Sequence, residues 1–219
     1  AHKPTTPALP LRGRVNGCLN RRHDFMYLHA GPCWAGERNE ENEMSEYHKI
    51  QSVFKRNMAG DRKLIDGDWT LPEFEYLANS QWRLTEKVDG TNIRVILKYG
   101  AITFGGRTEN ASIPAPLVAR LNERFMPRLN EMIGKFPDGV VLYGEGYGPK
   151  IQKVGGLYRN DQDFVLFDVR VGNWWLQHDD VRAIATGLDL AVVPVIGIGT
   201  LHDAIITVKA GLKSTWGDF

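Results

Sequence analysis

Cysteine is nearly absent: Cys18 and Cys33 are the only two among 219 residues, and both fall in the first 43. The rest of the chain is therefore built without disulfides or thiolate metal ligands, which fits a reducing, cytoplasmic setting, or a host cytoplasm if the source is viral. No apolar run approaches the roughly 20 residues that a spanning helix needs. The stretch at 190–199 is short and holds Pro194, so a membrane-embedded role is not expected. Nor does the N-terminus hold the uninterrupted apolar core of a secretory signal. Net charge is also missing, at +1 overall, with equal numbers of acidic and basic side chains over residues 44–219. A globally basic nucleic-acid coat is thereby excluded, and any polyanion must be held by a local patch. The six histidines form no zinc pattern and no Gly-x-x-x-x-Gly-Lys-Ser/Thr loop occurs, which disfavours zinc hydrolases and P-loop NTPases.

What is present divides into two parts. Residues 1–43 mix proline, arginine and both cysteines without helical or strand periodicity and end in the acidic run 37–43. They read as an extension of a domain at 44–219: either a flexible arm, or upstream sequence read in frame with translation starting at Met44. From residue 45 an amphipathic helix is expected, with Tyr47, Ile50, Val53 and Phe54 on its face. Strands are expected at 84–88 and 93–99 around Asp89-Gly90-Thr91, then at 102–105 after a Tyr99-Gly100 turn. Helices fit 115–125, behind Pro114, and 129–136, past Pro127. Strands return at 140–145 and 164–171, with Gly172-Asn173 turning into 174–176. The tail reads as helix 179–186, strand 192–198 and helix 201–212. The pattern is α+β: antiparallel, hairpin-rich sheet with flanking helices.

The sharpest local feature is Glu86-Lys87-Val88-Asp89-Gly90-Thr91-Asn92, a lysine at the end of an apolar strand with an acid and a glycine close behind. A lysine amine with a reference pKa of about 10.4 is a poor nucleophile at neutral pH, so chemistry here needs burial or a neighbouring cation. A solvent-facing Asp-Gly turn with Lys87 as a surface charge is the competing reading. Arg107 offers a planar fork that can hold two phosphate or ribose oxygens, or it merely caps a turn. Glu145 follows an apolar strand amid glycines, suited to a ligand or to a structural ion pair. Phe167 alternates with Val165 and Val169, which reads as core unless a flat base stacks on it, and Asp168 is then expected on the opposite face. Gly144-x-Gly146-x-Gly148 follows no βαβ pattern and has the wrong spacing for a dinucleotide fingerprint.

Lys-x-Asp-Gly-Thr-Asn resembles motif I of the covalent nucleotidyltransferases, in which the lysine becomes adenylated or guanylated. Phe104-Gly105-Gly106-Arg107-Thr108, Leu142-Tyr143-Gly144-Glu145-Gly146-Tyr147-Gly148 and Phe164-Val165-Leu166-Phe167-Asp168-Val169 follow in the family's order. Order and spacing are most similar to ATP-dependent RNA ligases of the bacteriophage type-two and trypanosome-editing kind. The resemblance implies a nucleotidyltransferase (ATP-grasp-like) domain with Lys87 as the nucleophile. It places Glu86, Lys87, Asn92, Arg107, Glu145 and Phe167 around ATP, Glu145 on the ribose and Phe167 on adenine, and gives Asn92 a part in the RNA-dependent steps. The expected cofactors are ATP and Mg2+, or Mn2+, with no protein metal ligand assigned. The expected partner is RNA with nicked or broken ends, with no obligate protein partner. Lys150 and Lys153, with Arg159, and the stretch Lys49, Lys55, Arg56, Arg62 and Lys63 are candidate phosphate contacts. Trp174 and Trp175 are candidates for base stacking or for packing under the hairpin.

Two later motifs of that family, a glutamate-glycine strand and a Lys-x-Lys strand, are missing. No Glu follows Asp168, and Lys209 and Lys213 are separated by three residues at the end of an expected helix. The domain is accordingly expected to be incomplete at its C-terminus and this chain alone to be weakly active or inactive. The alternatives are an ATP-dependent DNA ligase and a catalytically dead nucleotide- or nucleic-acid-binding module. Capping is disfavoured, since Asn92 stands where capping enzymes usually have arginine.

Overall fold

The computed structural model describes residues 46–108 and 110–216, together with the backbone of two short paired strands, β1 (Cys18–Asn20) and β2 (Phe25–Tyr27). The remainder of 1–45 lies outside the described residues, and with it the choice between an arm and upstream sequence.

Residues 46–53 form no helix. Phe54–Arg56 (β3) instead pairs antiparallel with Leu64–Trp69 (β4), Phe54 opposite Trp69. The i, i+3 spacing of Tyr47 and Ile50 imitates a helix face, but burial decides otherwise. Val53 and Phe54 sink into a cluster with Phe74, Trp82, Leu84, Leu201 and Ala204, and β-branched and aromatic side chains suit that half-buried hairpin. The cluster joins the hairpin to helix α1 (Pro72–Tyr76), strand β5 (Trp82–Thr85) and a helix near the end of the described chain.

Beyond β5 the chain enters a larger sheet. Thr91–Lys98 (β6) and Ala101–Gly105 (β7) form the expected hairpin across Tyr99-Gly100, where both residues take positive φ, as tight two-residue turns require. Helix α2 (Ala115–Phe125), a 3-10 turn (Met126–Arg128) and helix α3 (Leu129–Lys135) cover one face. Strand β8 (Val140–Tyr147), short helix α4 (Gly155–Tyr158), β9 (Asp163–Val171) and β10 (Trp174–Trp175) follow. Then come helix α5 (His178–Gly187), β11 (Ala191–Val192), β12 (Val195–Gly199) and helix α6 (Leu201–Ala210). The sheet order is β10-β9-β8-β6-β7, with β11 also alongside β9. Its main core sets Ile93, Val95, Leu142, Phe164, Leu166 and Val169 against Leu117, Leu121 and Phe125 of α2 and Val181 and Ala185 of α5.

Two expectations are corrected by this topology. The strand expected at 192–198 is two strands in two sheets: β11 runs parallel to β9, the one departure from antiparallel pairing among the described residues, and β12 runs antiparallel to β5. Pro194 lies between them, has no N–H to give a ladder, and its carbonyl accepts from the Glu86 N–H at 2.9 Å. The strands flanking Asp89-Gly90 are likewise no hairpin, because β5 pairs with β12 and β6 with β7 and β8. Residues 86–90 instead carry the chain from the small sheet to the large one. The final helix stops at Ala210, where Gly211 turns to φ +80°. No described helix is long and apolar enough to cross a membrane.

Candidate active site

The crossing between the sheets opens a cavity of about 390 Å³. Strand register explains what points into it. In β6 the residues Ile93, Val95 and Leu97 face the core, so alternation turns Asn92 and Arg94 to the other side. Asn92 lies directly opposite Glu145 on β8, and Arg94 opposite Tyr143. Buried Arg94 donates from Nε to the carbonyl of Gly106 at 2.8 Å and so steers the turn that delivers Arg107 to the cavity rim. Asn92, Arg107, Glu145 and Phe167 thus reach one end of one sheet face from four different strands or strand ends.

Lys87 and Val88 enter from the crossing segment, just beyond β5. Gly90 makes that approach possible by its bareness. A Cβ there would lie 2.2 Å from the Gly146 carbonyl oxygen and 2.8 Å from Glu145 Cγ. The segment is fastened on its far side, where the Asp89 N–H donates to the Tyr158 hydroxyl at 3.1 Å and Gln152 Nε2 donates to the Gly90 carbonyl at 3.0 Å.

Phe167 reaches the cavity because β9 is bulged. Tyr143 pairs with Asp168 but Gly144 pairs with Leu166, so Phe167 is the extra residue. Phe164, Leu166 and Val169 stay in the main core, while Val165 and Phe167 join Val88, Tyr147 and Val193 between the sheets. Simple alternation therefore fails: Val169 faces away from Phe167, and Asp168 does not take the opposite face expected for it. Asp168 is fully buried and accepts a 2.7 Å hydrogen bond from Tyr47, whose ring meets Phe167 edge-on at 5.1 Å. Tyr47, His48 and Ile50 form a cavity wall that sequence periodicity missed, as did Thr85 and Val193. Trp175 packs against Tyr47 and Tyr143, whereas Trp174 is exposed.

The carboxylates differ in role. Burial pushes the Glu145 carboxyl up to about 7, with Asp89 adding to the rise and Lys87 and the Gly90 N–H working against it. Glu86, expected at the nucleotide, does not line the cavity; its buried carboxylate instead accepts from Thr215 N at 2.8 Å, Thr215 Oγ1 at 2.7 Å and the Ser214 hydroxyl. Among the candidate phosphate contacts, Lys55 pairs with Asp68, Lys63 with Asp61 and Arg159 with Asp161 and Asp163. Lys150 and Lys153 are exposed on either side of Gln152, and neither forms an ion pair among the described residues. No group of three or more His, Cys, Asp or Glu side chains suited to a metal occurs among the described residues. Glu145, with Asp89 nearby, fits a divalent ion held mainly by a ligand's own oxygens and water.

A family model described as RNA ligase matches residues 80–215, well over half of the chain. Solved structures of Naegleria gruberi RNA ligase share the fold. A lysine-to-alanine variant with ATP and Mn is 24% identical at a TM-score of 0.50, covering 59% of this chain and 40% of that one. A lysine-to-methionine variant with AMP and Mn is 23% identical at 0.50, with the same coverage. The chain thus spans about two fifths of the length of the ligases it matches. No curated protein matches it in sequence.

Proposed function

Because the chain belongs to the RNA ligase family, we propose that the cavity binds ATP and that Lys87 accepts its AMP group, as the first step in joining RNA 3′-hydroxyl and 5′-phosphate ends. The observation that carries this reading is the convergence of Lys87, Asn92, Arg107, Glu145 and Phe167 on one cavity from separate parts of the sheet. In the step, the neutral Lys87 amine attacks the α-phosphorus of ATP. An N–P bond forms as the bond to the bridging oxygen breaks, pyrophosphate leaves with the electron pair, and the nitrogen releases a proton to water. Phe167, Val88 and Val193 give the adenine a flat apolar slot, while Glu145 can accept from ribose hydroxyls and Arg107 can fork onto phosphate. Asn92 brings a buried Oδ1 with no partner among the described residues, a ready acceptor for a bound group. A divalent cation, magnesium or manganese, supplies neutralisation of the triphosphate and leaving-group charge.

AMP then passes from Lys87 to an RNA 5′-phosphate, and attack by the 3′-hydroxyl releases AMP. Lys150 and Lys153, flanking the residue that holds the Gly90 carbonyl, are placed to meet the RNA backbone. The test is to label the chain with ATP carrying radioactive α-phosphate and chase with matched nicked RNA or DNA. Label moving to 5′-phosphorylated RNA, weakly because the two later motifs are missing, is expected. Equal transfer to DNA would favour a DNA ligase, and salt-dependent RNA binding without any protein label would favour a binding module.

A further inference from the structure

Glu86 is the immediate neighbour of the nucleophile, yet its side chain turns out of the cavity and is only 5% exposed. A carboxylate buried so deeply must be satisfied by donors, and Ser214 and Thr215, more than 120 positions away, supply them. Ser214 gives its hydroxyl, and Thr215 gives both its N–H and its hydroxyl. The Glu86 N–H is separately held by the Pro194 carbonyl at 2.9 Å. The next residue along, Trp216, donates its N–H to Ser214 Oγ at 3.1 Å and stacks on Tyr147 at 4.8 Å and 26°. It also meets Tyr158 edge-on at 6.4 Å, and Tyr158 is the residue that holds Asp89. One short segment therefore holds the Glu86 side chain on the near side of Lys87 and braces the tyrosine that holds the Asp89 N–H on the far side.

We propose that Glu86 is a positioning residue rather than a nucleotide ligand, and that Ser214, Thr215 and Trp216 form with it a clasp that fixes Lys87 for in-line attack. The inference rests on the ligase reading of the cavity. A lysine has four rotatable side-chain bonds, so the reach of Nζ is set by how firmly its backbone is anchored. A misplacement of about 1 Å can cost on the order of 100-fold in rate. The clasp acts on the attack itself and leaves the base, ribose and phosphate contacts in place.

Glu86→Gln leaves a single acceptor oxygen for three donors, and Ser214→Ala removes one donor. Each is expected to lower the rate constant for lysine adenylation about tenfold at saturating ATP, with the KM for ATP changed less than about twofold. The double variant should lose little more than either alone, and Thr215→Ser should keep the rate. A raised KM at unchanged rate would make Glu86 a nucleotide ligand and overturn the proposal. Hydrogen exchange gives a second reading that needs no turnover: in Glu86→Gln the amides of residues 87–90 should exchange faster while those of β6 and β8 do not. Unchanged exchange would refute the clasp whatever the adenylation rate, whereas an unsubstituted chain that neither binds ATP nor labels Lys87 would remove the ligase reading itself.

Discussion

Single residues carry the chemistry, and their charge states are set by where the strands leave them. Glu145 is the clearest case, because burial raises its carboxyl from 4.5 to about 7 against the pull of Lys87. An acid whose pKa is higher folded than unfolded contributes stability that is complete below the unfolded value and is lost as pH rises through the folded one. The ligand-free chain should therefore lose up to about 3 kcal/mol between pH 5 and pH 8 from this group, a loss that Glu145→Gln abolishes. Urea titrations of both chains across that range read it, and parallel pH profiles would contradict it. Lys87 and Arg107 were legible in the sequence because each follows an apolar strand, and Glu145 because it is an acid set among glycines at the end of an apolar run. Glu86 was misread because adjacency to Lys87 says nothing about which way an alternating side chain points.

At the scale of elements, the hairpins and amphipathic helices were legible wherever period and turn chemistry agreed, as in β6-Tyr99-Gly100-β7 and α2. The bulge at Phe167 was not, since one extra residue in a ladder leaves no mark on composition, yet it turns both Phe167 and Asp168 away from the main core. The wall formed by Tyr47, His48 and Ile50 was hidden for a similar reason, because its spacing copied a helix that the buried β3-β4 hairpin displaces. Elements are also tied by charge. Asp163 at the start of β9 takes Arg124 of α2 at 2.5 and 2.6 Å, Arg120 at 3.3 Å, and Arg159 from beyond α4. Burial raises its carboxyl, but the Arg124 hydrogen bonds and the surrounding guanidinium charge outweigh that and leave it below the ordinary value. Its contribution is thus present at neutral pH and lost as pH falls through the depressed pKa. Asp163→Asn leaves arginines packed around a neutral amide and should cost about 3–5 kcal/mol at pH 7, with the difference shrinking in acid. Thermal or urea unfolding of the variant reads this, and an unchanged midpoint would show the cluster to be incidental.

For the whole molecule, the α+β class followed from patterning, whereas the division into two sheets did not. Residues 84–99 look like one hairpin and residues 192–198 like one strand until partners are known, and Gly90 and Pro194 mark where each crosses. That crossing creates the cavity: the small sheet delivers Lys87, and the large sheet delivers Asn92, Glu145 and Phe167. The central claim is that this convergence makes Lys87 a nucleophile toward ATP. Intact-protein mass spectrometry after incubation with ATP and magnesium or manganese tests it most directly. A gain of one AMP, mapped to Lys87 and absent from Lys87→Ala, is expected. An adduct that persists in Lys87→Ala would contradict it.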